Sequence, residues 1–111
     1  MPLKLETAGA LDIVSSRAAE AASTLKAMAS ETRLIILCAL STGELPVNRL
    51  ADLTGQSQSA VSQHLSKLRA ADLVDSRRDG KTIYYRARAG VASDLIDTLC
   101  QHYARTDAAG N

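Results

Sequence analysis

Apolar residues recur along this chain at two periods, and the change between them divides it into elements. From residue 11 to residue 29, Leu11, Val14, Ala18, Ala21, Ala22, Leu25 and Met28 fall at the spacing of a helix with one buried face. Ser30 then offers a side-chain oxygen to the unpaired amides of a second helix, "ETRLIILCALS", with an apolar side of Leu34, Leu37, Cys38 and Leu40 and with Gly43 at its end. "ELPV" reads as a short extended piece limited by Pro46. Asn48 is placed to cap a short third helix, "RLADLT", closed by Gly55, and Ser57 to cap a fourth that runs to about Ala71. In "LVDSRRDGKTIYYRAR" β-branched and aromatic residues flank Asp79-Gly80, a hairpin signal because Gly takes positive φ without a Cβ clash. The helical period returns from about Val91 to Arg105, with Leu95, Ile96, Leu99, Cys100 and Tyr103. The expected order is five helices with one hairpin between the fourth and fifth. It forms a single domain over 1–111, mainly α, with loose termini at about 1–8 and 106–111.

The third and fourth helices are joined by "GQS", a three-residue turn that begins with Gly. That is a helix-turn-helix pattern, in which the second helix lies in a DNA major groove, and a hairpin directly after it stands where a winged helix has its wing. The fourth helix, within "SQSAVSQHLSKLRAADL", carries serines and glutamines where a surface helix usually carries glutamates and lysines. Ser and Gln reach base edges uncharged, and Gln can pair in bidentate fashion with adenine, whereas glutamates would repel phosphates. Leu65 and Leu68 face back to anchor the helix. The bland alternative is an ordinary polar helix with a solvated hairpin tip; the Gly turn, the hairpin and the charge distribution together weigh against it.

The net charge of +1 is uninformative, but its distribution is not. Between Gln56 and Arg88 seven basic residues stand against three acids, and the remainder of the chain is acidic in balance. A basic region beside the Ser/Gln helix is the footprint of a polyanion, here double-stranded DNA, with Arg77, Arg78 and Lys81 of the wing placed for phosphate or minor-groove contact. Trp and Phe are absent, so the core must be aliphatic. A chain of 111 residues buries only part of its surface, and the first and last helices hold apolar positions it cannot cover alone, including Leu25, Leu95, Ile96, Leu99 and Tyr103. A homodimer through those two helices is expected.

Other classes fare poorly. No run approaches the roughly 18 apolar residues of a membrane span, and the start lacks the basic and apolar regions of a signal peptide, so a cytoplasmic protein is expected. The chain has no Gly-rich phosphate loop, nucleophile elbow or His-Glu-x-x-His helix, which argues against an enzyme, and nothing in it asks for a cofactor. Cys38, Cys100, His64 and His102 are too scattered for a metal centre of about four ligands. A winged helix used only for protein contacts is the competitor from another class; binding to the promoter of its own operon would discriminate.

Residues 25–103 resemble the ArsR/SmtB family of bacterial winged-helix repressors. "LKAMASETRLIILCAL" is similar to the family's opening helices, and "SQSAVSQHLSKLRAADLVDSRRDGKTIYY" to the signature of the branch containing NolR, BigR and HlyU. The resemblance implies a homodimeric repressor of a pseudo-palindromic operator. By position it implies DNA contacts from Gln56, Ser57, Ser59, Ser62, Gln63, His64 and Lys67, together with the wing basics. The chain departs from the metal-sensing members: "NRLADLT" stands where they carry paired cysteines, and the last helix offers only Asp94, Asp97 and His102. Cys38 matches a thiol-sensing position of the branch. The partner thiol, Cys100, lies about one turn before the family position, near Ala104, and an offset of about 5–6 Å speaks against a direct link. Thiol sensing by Cys38 and Cys100, inert cysteines in a ligand-independent repressor, and a metal-responsive repressor stay open as readings.

Overall fold

The computed structural model describes the backbone of residues 4–110 and the side chains of residues 9–106. The order is α1 (Lys4–Ser16), α2 (Ala18–Met28), α3 (Glu31–Leu40), β1 (Leu45–Pro46), α4 (Val47–Thr54), α5 (Gln58–Ala70), β2 (Val74–Asp79), β3 (Thr82–Ala87) and α6 (Val91–Gly110). It is a winged helix-turn-helix, with six described helices where the periodicity predicts five. The difference lies at Arg17 (φ −119°, ψ 15°), where the helix expected over 11–29 breaks in two. The Ser16 hydroxyl donates to the Ile13 carbonyl at 2.8 Å and closes α1, while Arg17 caps α2 without a side-chain acceptor. Among the described residues α1 begins at Lys4 and α6 ends at Gly110.

Ser30 caps α3 as predicted, its hydroxyl accepting from the Arg33 amide at 3.2 Å. The start of α4 differs. The helix begins at Val47, with extended Pro46 as cap residue and no side-chain bond, so Asn48 lies inside the helix rather than ahead of it. "ELPV" supplies β1, a third strand made one by its pairing with β3. Leu45 faces Tyr85 and Pro46 faces Tyr84, giving an antiparallel sheet in the order β1-β3-β2. The hairpin turn sits one residue later than Asp79-Gly80, because Asp79 still pairs with Thr82. Gly80 and Lys81 are the two turn residues. Gly80 takes φ +64° and Lys81 does not, the pattern of a type II′ turn with Gly first.

The core is aliphatic. Ile36, Leu50, Val61, Leu65, Leu68 and Val74 are fully buried, joined by Met28, Leu37, Leu40, Leu73 and Ile96. Three of these, Val61, Leu65 and Leu68, come from α5, so the polar helix is held by one strip of its surface. Ile96 is 3% exposed and belongs to this core, not to a dimer face as the sequence reading has it. Leu11, Ile13, Val14, Leu25, Leu99 and Tyr103 remain uncovered on α1, α2 and α6. No described helix is long and apolar enough to cross a membrane.

Candidate nucleic-acid interface

Two caps set the direction of α5. Gly55 ends α4 in the left-handed region at φ +70°, where its amide bonds the Ala51 carbonyl at 2.9 Å, and the chain reverses. Two residues later the Ser57 hydroxyl accepts from the Ala60 amide at 3.0 Å and starts α5. Ser57 therefore serves the helix end. With Val61, Leu65 and Leu68 turned inward, Ser59, Ser62, Gln63 and Lys67 are exposed on the opposite side, and Gln56 is exposed in the turn. This is the arrangement expected from the sequence.

The wing stands beside that helix. A cleft of about 610 Å³ runs between them, lined by Asn48 of α4, Gln58 and Ser62 of α5, and Lys81, Thr82 and Tyr84 of the hairpin.

The basic residues divide into two groups. Arg77 is held within the chain: Nε lies 3.0 and 2.9 Å from the two Glu44 carboxylate oxygens, Nη2 lies 2.9 Å from Oε1, and the guanidinium carbon sits 4.9 Å from the centre of the Tyr84 ring. The hydrogen bond from Arg77 lowers the Glu44 carboxyl below its ordinary value. Arg86 and Arg88 share Asp75 at 3.5 and 3.4 Å. Lys67, Arg69, Arg78 and Lys81 have no ion-pair partner among the described residues, and all four are exposed. Within the basic stretch from Gln56 to Arg88, the unpaired cations thus lie on α5 and the wing tip. Arg77, which the sequence places with them, is instead a tie between the wing and the segment before β1.

His64 is also engaged internally. It is half-buried, and its Nδ1 accepts from Arg33 Nε at 3.1 Å. Burial first, then the nearby charges of Arg33 and Lys67, lower its pKa from the ordinary histidine value. The bond to Arg33 is a contact of the helix-packing kind. Arg33 was not among the candidate residues. Its partner lies 31 positions away, and no spacing along the chain signals that pairing.

The cysteines correct an expectation. Cys38 on α3 and Cys100 on α6 bring their sulfurs together as a disulfide-capable pair, with Cα atoms 6.9 Å apart. The packing of α3 on α6 brings Cys100 opposite Cys38 without the extra turn that the family position would demand. Leu34, Ile35, Ile96, Leu99 and Tyr103 line an apolar groove of about 490 Å³ around the pair. Arg33, the basic residue one and a half turns from Cys38, is directed to His64 and the Ala27 carbonyl. No cluster of three or more His, Cys, Asp or Glu is placed to hold a metal among the described residues.

Residues 30–76 match the model for "Bacterial regulatory protein, arsR family". The nodulation protein NolR of Rhizobium meliloti is 48% identical over 89 residues, covering 79% of this chain and 73% of NolR. The crystal structure of the transcriptional repressor BigR from Xylella fastidiosa aligns with TM-score 0.76 at 34% identity, covering 83% of this chain and 94% of that one. The homodimeric winged helix-turn-helix DNA-binding domain of a possible ArsR-family regulator from Mycobacterium bovis aligns with TM-score 0.70 at 31% identity, covering 87% and 89%.

Proposed function

The chain belongs to the ArsR family of bacterial regulatory proteins, and from that membership we propose that it acts as a homodimeric repressor of a pseudo-palindromic operator. It is a DNA-binding transcription regulator, not an enzyme. The observation that carries the operator reading is the outward face of α5. Ser59, Ser62 and Gln63 stand there free of internal duties, flanked by Lys67 and, across the cleft, by the wing tip. We assign base-edge contact to Ser59, Ser62 and Gln63, and phosphate contact to Gln56, Ser57, Lys67, Arg78 and Lys81. Arg77 and His64 have partners inside the chain and act from behind that face. The exposed apolar residues of α1 and α6 meet a second copy and set two α5 helices one helical turn of DNA, roughly 10 bp, or a multiple of it apart; one structural relative is homodimeric. Sedimentation of the chain with a duplex of its own promoter tests this: two chains per duplex is the expected stoichiometry, and one chain per duplex would overturn it.

The cysteine pair supports a thiol-controlled version of the same function. A hydroperoxide or a sulfane-sulfur donor takes two electrons from the pair. The first thiolate displaces the oxidant's leaving group, the second thiolate displaces the group now carried by the first sulfur, and the two thiol protons end on those leaving groups, as an alcohol and water or as a thiol and hydrogen sulfide. The product ties α3 to α6, a proposed dimer helix, and alters the spacing of the two α5 helices. The reduced chain is expected to bind promoter DNA, oxidant or persulfide to release it, and Cys38→Ser to abolish the release. A binding titration with mass spectrometry of both cysteines checks this, and unchanged affinity with both thiols modified would leave the pair structural.

A further inference from the structure

We infer that Arg33 is a positioning residue for DNA reading, a two-point strut that fixes the recognition helix α5 through His64. The inference rests on the assignment of α5 as the reading helix. Arg33 sits in the first turn of α3, and its guanidinium makes two bonds at once. Nη1 donates to the Ala27 carbonyl near the end of α2 at 3.1 Å, and Nε donates to His64 Nδ1 at 3.1 Å. A single side chain therefore joins α2, α3 and α5. Among the described residues the other side-chain ties between α5 and the body are apolar contacts of Val61, Leu65 and Leu68, which are non-directional. A directional bond on the flank of that strip restricts the roll of the helix, and roll decides where Ser62 and Gln63 point.

The bond also fixes the state of His64. A guanidinium has donors only, so Nδ1 must be unprotonated and the proton of the neutral ring must sit on Nε2. A second proton on Nδ1 would remove the acceptor and set an imidazolium against Arg33. The charged groups that act on His64 are Arg33 of α3 and Lys67 of α5, both cationic, and they oppose protonation along with burial. The strut is whole above the ordinary histidine pKa of about 6.5 and is lost as pH falls through the lowered value of the folded chain. Acid adds positive charge to α5, which favours any DNA, while loosening the helix, which harms only the preferred sequence. Selectivity, rather than affinity, is therefore the quantity to follow.

Two measurements decide the matter. Nitrogen-15 imidazole spectra of the free protein are expected to show His64 as the Nε2–H tautomer, and Arg33→Ala to mix the tautomers and move the titration toward the ordinary value. Titrations then compare a duplex of the chain's own promoter with poly(dI-dC) as competitor. Arg33→Ala and His64→Ala should each lower the preference for the promoter about tenfold, the scale of one coupled pair, and the double variant no further than either alone. Arg33→Lys keeps the charge but not the two-point geometry, so it should fall with Arg33→Ala. The salt slope should stay that of the wild type, because no phosphate contact is lost. Additive single effects, or a salt slope reduced in Arg33→Ala and restored in Arg33→Lys, would make Arg33 a phosphate contact and overturn the strut. A wild-type chain with no preference for its promoter would sink the DNA reading itself, and the spectrum, which needs no DNA, separates that failure from a failure of the strut.

Discussion

A chain with Glu in place of both Leu11 and Tyr103 is expected to fold, to sediment as a monomer at micromolar concentration, and to lose promoter affinity by about 10²-fold or more. The two residues are each 63% exposed, on α1 and α6. Surface substitutions away from special contacts change folding stability by no more than about 0.5 kcal/mol, so the single chain tolerates them. In the proposed dimer they meet a second copy, and carboxylates there would have to lose water without a partner. The loss in DNA binding follows from geometry. When one reading helix is bound, its twin is held near the second half-site, and the linked pair exceeds one alone by about 10²–10⁴. A stable dimer in this variant would move the interface elsewhere. A monomer with unchanged affinity would mean that the chain reads DNA singly.

The second large effect is on the anchor of α5. Leu65→Ala removes a side chain with no exposed surface from the middle of the core. Large-to-small changes at such sites cost about 2–5 kcal/mol. Small domains have about 5–15 kcal/mol in total, so the variant should lose a large share of its stability, with its melting midpoint lowered by roughly 10 °C or more. Leu65→Met keeps the volume and should cost less than about 1.5 kcal/mol. Calorimetry on the two variants checks the contrast. Equal midpoints would mean that Leu65 is not the buried anchor of the helix.

The helix-turn-helix was legible because its signals are local. Gly55 at φ +70° and Ser57 bonding the Ala60 amide are properties of neighbouring residues, and the inward strip of Val61, Leu65 and Leu68 is a period. Where such signals are missing, the elements do not show in the sequence. The break at Arg17 has no side-chain cap, and apolar spacing continues across it, so two helices read as one. The end of α5 is closed by Asp72 in the left-handed region at φ 61°, a place more often held by Gly, yet it was found within a residue because the apolar period stops there. β1 escaped notice as a strand because two residues carry no period, and only their pairing with Tyr84 and Tyr85 makes them one.

The site divides along the same line. Exposure of Ser59, Ser62, Gln63 and Lys67 followed from helical phase. The partners of Arg77, His64 and Cys38 did not, since they lie 33, 31 and 62 positions away and meet through packing of separate elements. Charge counted along the sequence therefore overstated the free cations of the wing, and Arg33 went unseen. Distance along α6 alone places Cys100 a turn from the family position, whereas the way α3 and α6 pack decides whether the thiols meet.

The most direct test of the central claim, that the outward face of α5 reads base sequence, is a binding titration of Gln63→Ala. It is run at fixed salt against the chain's own promoter duplex and against the same duplex substituted one base pair at a time. Gln63 is exposed on α5 and has no hydrogen-bond partner among the described residues, so its removal should leave the fold intact. The account predicts a loss of about 1–3 kcal/mol on the promoter, a relaxed preference at one position of each half-site, and unchanged binding to unrelated DNA. Affinity and sequence preference both equal to wild type would contradict it.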